Sequence, residues 1–133
     1  MEKKMKRKIY VLMICFGICV MSLPICAQTV NFNITVSDST RIDPISKRAQ
    51  KADSEQKYYV TVTQRSGTGT VRAHSERIDG GVLSDSVYIT SASAGIKKSA
   101  SYYTTANSNA YYFLNCYWES GKGEVNMLGR YTP

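Results

Sequence analysis

His74 is the only histidine in the chain and sits in Val71-Arg-Ala-His-Ser-Glu76. An imidazole there could serve as a general base if a serine and an aspartate such as Asp79 or Asp85 stood beside it. No G-x-S-x-G elbow accompanies it, and serine is too abundant in this sequence to mark a nucleophile. Glu119 and Glu124 flank Ser120-Gly-Lys-Gly123 and are the pair of carboxylates that a glycosidase would have to bring together across a cleft. His74 and Cys116, 42 positions apart, do not have zinc-ligand spacing. Asp38, Asp43, Asp79 and Asp85 are isolated and lack the alternating oxygen ligands of a calcium loop. The glycines of Ser66-Gly-Thr-Gly69 would need a following helix to cradle a phosphate, but Thr70-Val71-Arg72 reads as strand, so a hairpin is expected. Asn33-Ile-Thr35 fits an N-glycosylation triplet, a pattern common by chance, and the start of the chain looks bacterial. No catalytic residue, metal ligand or cofactor is assigned on this basis.

Tyrosine is the unusual component. Nine of the ten tyrosines lie beyond residue 27, with doublets at Tyr58-Tyr59, Tyr102-Tyr103 and Tyr111-Tyr112. In an alternating strand a doublet turns one ring inward and the other outward. Tyr59, Tyr103, Tyr111 and Tyr117 are the rings expected outside, and they are the candidate binding residues. A phenol ring offers a rigid apolar face and a hydroxyl, which suits sugar rings, peptides and membrane interfaces. The ordinary alternative is that tyrosine is simply a favoured strand residue.

The elements that must carry these residues alternate with period two. Val30, Phe32, Ile34 and Val36 alternate with Asn31, Asn33 and Thr35, the pattern of a half-buried strand. Residues near 37–56 are polar and are expected to form an exposed, mobile loop or a short helical turn around Ser46 to Ala52. Further strands are expected at Tyr58 to Thr63, Val71 to Ile78, around Leu83 to Ile89, at Tyr102 to Thr105, at Ala110 to Glu119 and from Val125 to Tyr131. Asp79-Gly80-Gly81 and Asn107-Ser108-Asn109 supply turns. About seven short antiparallel strands imply an all-β sandwich, with a small barrel as the alternative. One domain over 28–133 accounts for them.

The chain opens with Lys3, Lys4, Lys6, Arg7 and Lys8, continues with an apolar run from Ile9 to Pro24, and reaches a small residue at Ala27. This order reads as a cleaved export leader over 1–27. The run is shorter than the roughly 20 residues of a bilayer span. Retention through an uncleaved leader or a lipid on Cys26 are the alternatives to release. The leader holds five Lys/Arg and one Glu, so the formal +7 shrinks to +3 for the remainder, too little and too scattered to imply a nucleic-acid partner. Three of the four cysteines also lie in the leader. Cys116 is left in the apolar Tyr111-Tyr-Phe-Leu-Asn-Cys-Tyr-Trp118, where burial as a small apolar side chain is expected.

The lysine-rich leader, the Ser/Thr/Tyr-rich body and the ending Gly129-Arg-Tyr-Thr-Pro133 resemble small exported all-β proteins of Gram-positive bacteria. That resemblance implies secretion and a sandwich, and assigns no functional residue. Lys98-Ser-Ala-Ser-Tyr-Tyr103 and Tyr117-Trp118 are similar to small secreted bacteriocins of sandwich type. The leading expectation is a non-enzymatic binding protein acting at the envelope or outside the cell. Its candidate partners are a glycan, a cell-wall polymer or another protein, and the expectation requires Tyr59, Tyr111 and Tyr117 to be exposed and contiguous. A membrane-active antagonistic factor and a small hydrolase using His74 or Glu119 are the competing readings.

Overall fold

In the first strand, where the sequence alternates, the apolar members are buried. In the computed structural model, which describes residues 27–39 and 45–133, β1 (Val30–Ser37) buries Phe32, Ile34 and Val36 and exposes Asn31, Asn33 and Thr35. The other strands are β2 (Ala49–Gln50), β3 (Lys57–Ser66), β4 (Thr70–Arg77), β5 (Leu83–Ile89), β6 (Lys97–Ser101), β7 (Tyr111–Ser120) and β8 (Glu124–Thr132). The leader read over 1–27 lies, apart from Ala27, outside the described residues, as does Asp43.

The strands form two four-stranded antiparallel sheets, ordered β1-β8-β3-β6 and β2-β7-β4-β5, and neither closes into a barrel. The protein is thus an all-β sandwich. In its order β1 pairs with β8, β2 with β7, β3 with β6 and β4 with β5. First pairs with last, and so on inward, which is the nesting of two Greek keys in a jelly roll.

Three local expectations change. The polar stretch near 37–56 contains an additional strand, β2, and buries Ser46, Ala49 and Lys51. Its backbone runs along the edge of β7: Ser46 N–H donates to Leu114 O at 2.8 Å, and Lys51 N–H to Ala110 O at 2.9 Å. The strand expected at Tyr102 to Thr105 is instead β6, at Lys97–Ser101, because those residues complete the edge of β3. Tyr102 makes only a single bridge, to Ser84. Finally, Ser66–Gly69 is not the expected hairpin, and Ser120–Gly123 behaves in the same way. Each carries the chain from one sheet to the other, whereas Asp79-Gly80-Gly81 closes the β4–β5 hairpin as its sequence implies. Arg65 fastens the first crossing by donating to the carbonyls of Gly67 and Gly69.

Between the sheets lie Tyr58, Tyr102, Tyr112 and Tyr131, with Val60, Val71, Ile89, Leu114, Cys116 and Met127. The tyrosine rings meet tilted, Tyr58–Tyr102 at 6.0 Å, Tyr58–Tyr131 at 6.4 Å and Tyr102–Tyr112 at 5.3 Å, an arrangement aromatic quadrupoles favour. Lys51 is sealed in beside them. Its ammonium donates to Asp53 at 2.8 Å and lies 5.7 Å from the Tyr102 ring centre.

Gly129 in β8 lies opposite Phe32 of β1 and Val62 of β3. A Cβ there would overlap the Thr61 carbonyl and the Phe32 ring, which covers the glycine from the next strand. Gly129→Ala is therefore expected to lower the unfolding free energy by about 1–3 kcal/mol, the usual range for overpacking, with urea denaturation as the measurement. An unchanged midpoint would show that the Phe32 ring and the Thr61 carbonyl can both shift without cost.

Candidate functional site

β4 turns Val71, Ala73 and Ser75 into the core, so Arg72, His74 and Glu76 project from the opposite face. Register then fixes their neighbours. β5 sets Tyr88 beside Arg72 and Ser86 beside His74. β7 sets Tyr117 beside Arg72, Asn115 beside His74 and Phe113 beside Glu76. The outer face of this sheet thus has a row of Tyr88, Arg72 and Tyr117 next to a row of Ser86, His74 and Asn115.

Contacts within the rows are specific. The His74 and Tyr117 rings stack at 5.1 Å with 15° between their planes. The Arg72 guanidinium lies 5.4 Å from the Tyr117 ring centre, a cation–π distance. Asn115 Nδ2 donates to the Tyr117 hydroxyl at 2.9 Å and to the Glu76 carboxylate at 3.5 Å. Glu76 Oε2 is 3.6 Å from His74 Nε2, and Glu119 Oε2 is 3.6 Å from Arg72 Nε. Tyr117 is therefore held on three sides, and the Glu119 and Glu76 carboxylates stand beside the Arg72 guanidinium and the His74 ring.

Tyr103, from the connection after β6, closes one wall. Its N–H donates to Leu83 O at 3.0 Å and its hydroxyl to Asp85 at 3.2 Å. Desolvation, followed by the Asp85 charge, holds the Tyr103 phenol above its ordinary pKa, so it is a neutral hydrogen-bonding group. Arg72, His74, Leu83, Ser86, Tyr103 and Tyr117 line an open depression of about 310 Å³. Tyr103 is 68% exposed and Tyr88, beside Arg72, 49%, so both rings are open to solvent.

The four tyrosines singled out by sequence do not form one surface. Tyr103 and Tyr117 share the depression. Tyr111 is exposed on the same face of β7, but six residues from Tyr117 and so about 20 Å along the strand, with the Arg48 guanidinium 5.4 Å from its ring centre. Tyr59 lies on the outer face of the other sheet, where it lines a different pocket. Glu119 and Glu124 are divided between the sheets as well, because the chain crosses over between them.

Arg72, Tyr88 and Asn115 were not singled out from sequence, where His74 was weighed only as a general base. Its side chain does face outward but is only 13% exposed, beneath Tyr117. The alternation of β4 was enough to place Arg72, His74 and Glu76 on one face. What it could not supply was the flanking strands. No protein-family model, curated protein or solved structure matches this chain. Among the described residues no group of three or more His, Cys, Asp and Glu could hold a metal ion, and no helix is long and apolar enough to cross a membrane.

Proposed function

We propose that this is a non-enzymatic glycan-binding protein acting outside the cell, with the Arg72–His74–Tyr117 face as its binding surface. The carrying observation is the preorganised stack of His74 and Tyr117, with exposed Tyr88 and Tyr103 beside it. Pyranose rings present apolar C–H faces and a rim of hydroxyls. The aromatic rings match the faces, and Arg72, Glu76 and Ser86 offer donors and acceptors for the rim. Glu76, Glu119 and Asp85 outnumber Arg72 on this face, which favours a neutral sugar over an anionic one. The basic and apolar start of the chain supports a place outside the cell.

The test is calorimetric titration of the purified protein with neutral oligosaccharides selected from a glycan and cell-wall screen. Tyr117→Ala and Tyr103→Ala are each expected to weaken binding at least about tenfold, the loss usual for a buried aromatic anchor. The unfolding midpoint should stay nearly unchanged in Tyr103→Ala, because that ring is exposed. Affinities unaffected by both substitutions, or no glycan bound in the screen, would refute the assignment.

A further inference from the structure

On the opposite face of the sandwich, the register of β8, β3 and β6 places Arg130, Thr61 and Lys97 side by side. The next row aligns Thr132 with Tyr59 and Ser99. Thr29, Tyr59, Thr61, Lys97, Arg130 and Thr132 line a pocket of about 230 Å³. Three threonines are part of its lining, and the cations stand on either side of Thr61, two strand spacings or roughly 10 Å apart at the backbone. That separation lets two long side chains converge on one group between them.

Among the described residues, Lys97 and Arg130 have no carboxylate within 4.0 Å. The Lys97 ammonium rests over the Tyr59 ring, 3.8 Å from its centre. The Glu55 carboxylate accepts the Tyr59 hydroxyl at 2.5 Å, which positions the ring beneath the lysine. Thr29 and Thr132 join their hydroxyls at 2.8 Å, leaving further donor and acceptor capacity at the rim. A guanidinium supplies paired N–H groups, an ammonium supplies a point charge, and threonine hydroxyls supply single donors. Together they suit a group with several oxygens and more than one negative charge.

We propose that this pocket is a second binding site, independent of the Tyr117 face, that takes a tetrahedral oxyanion: a phosphate or sulfate group. Being on the outer face of the other sheet, it leaves the first surface open while occupied. The ligand chemistry differs too, since this pocket is lined by two cations and the first face carries more carboxylates than cations.

Amide NMR titration of the purified protein with sodium phosphate and sodium sulfate, against sodium acetate and chloride at matched ionic strength, tests it. Phosphate and sulfate should shift the amides of Thr61, Lys97 and Arg130 saturably, while acetate and chloride should not. Lys97→Gln and Arg130→Gln should each weaken phosphate binding about tenfold, one charge-assisted hydrogen bond apiece, and the double variant should abolish it. Tyr117→Ala should leave phosphate binding intact, which separates failure of this site from failure of the glycan face. A poly(glycerol phosphate) chain that binds more tightly per phosphate than inorganic phosphate would support the site and identify a polymer as the source of the anion. Equal affinity per phosphate would support it with the free ion as ligand. Shifts that are the same for all four anions, or that persist in the double variant, would overturn it.

Discussion

Ser75→Ala is expected to lower the unfolding free energy by about 2–4 kcal/mol, although it removes a single oxygen and leaves no large cavity. Ser75 is fully buried, and its hydroxyl is shared with Tyr131 at 2.6 Å and Tyr102 at 2.8 Å. Its amide donates to the Ser84 hydroxyl at 2.8 Å. Alanine would strip a partner from two phenols held away from water, and a buried polar group left unsatisfied costs about 1–3 kcal/mol. Tyr131→Phe in the same background gives the diagnostic comparison. If the loss comes from orphaned phenols, the Ser75→Ala/Tyr131→Phe pair should cost clearly less than the two single changes added together. Strict additivity in urea unfolding would show that the hydroxyls do not act as a network.

The second large effect is a loss of stability in alkali. Burial raises the phenols of Tyr58, Tyr102 and Tyr131 above the ordinary value of 10.0, because ionisation between the sheets would put a charge in a poorly solvated place. In the unfolded chain the same groups ionise near pH 10. Above that pH the unfolded state binds fewer protons than the folded state, so stability must fall as pH rises. Below pH 10 this contribution is fully present. Each phenol accounts for about 1.4 kcal/mol per pH unit, so three together should remove about 4 kcal/mol by pH 11. Urea unfolding at pH 8, 10 and 11, with phenolate absorbance followed in parallel, measures it. Stability that stays flat to pH 11, or phenols that ionise in the folded protein near pH 10, would contradict the sealed core. Tyr131→Phe should lessen the slope by one phenol.

These effects also mark where sequence reasoning stopped. Alternation alone identified the inward partners Tyr58, Val60 and Val62 and the strand class of nearly every element, because period two is imposed by the pleat itself. It could not show which of those strands share a sheet. Glycine-rich turns look the same whether they close a hairpin, as at Asp79–Gly81, or pass between sheets, as at Ser66–Gly69 and Ser120–Gly123. That ambiguity separates Tyr59 from Tyr117. It also kept Tyr88 out of the candidate set, since Tyr88 has no tyrosine neighbour and gains its place only through the β4–β5 register. Lys51 was hidden for another reason. A lysine in a polar stretch is normally solvated, and only the docking of 45–51 along β7 buries it. Ser75 was indistinguishable from the other serines until two phenols were found at its hydroxyl.

The pairing of β1 with β8 governs how the molecule would respond to tension. Val30 lies opposite Tyr131 and Ser37 opposite Glu124, so the outer ends of the two strands meet at one corner. A load applied between residues 29 and 132 would act across this ladder and break its hydrogen bonds one rung after another, as a zipper opens, instead of shearing them all at once. The sandwich would yield at low force when pulled from that corner. A load carried from the outer face of either sheet to one end alone would instead be spread through the interlocked sheets.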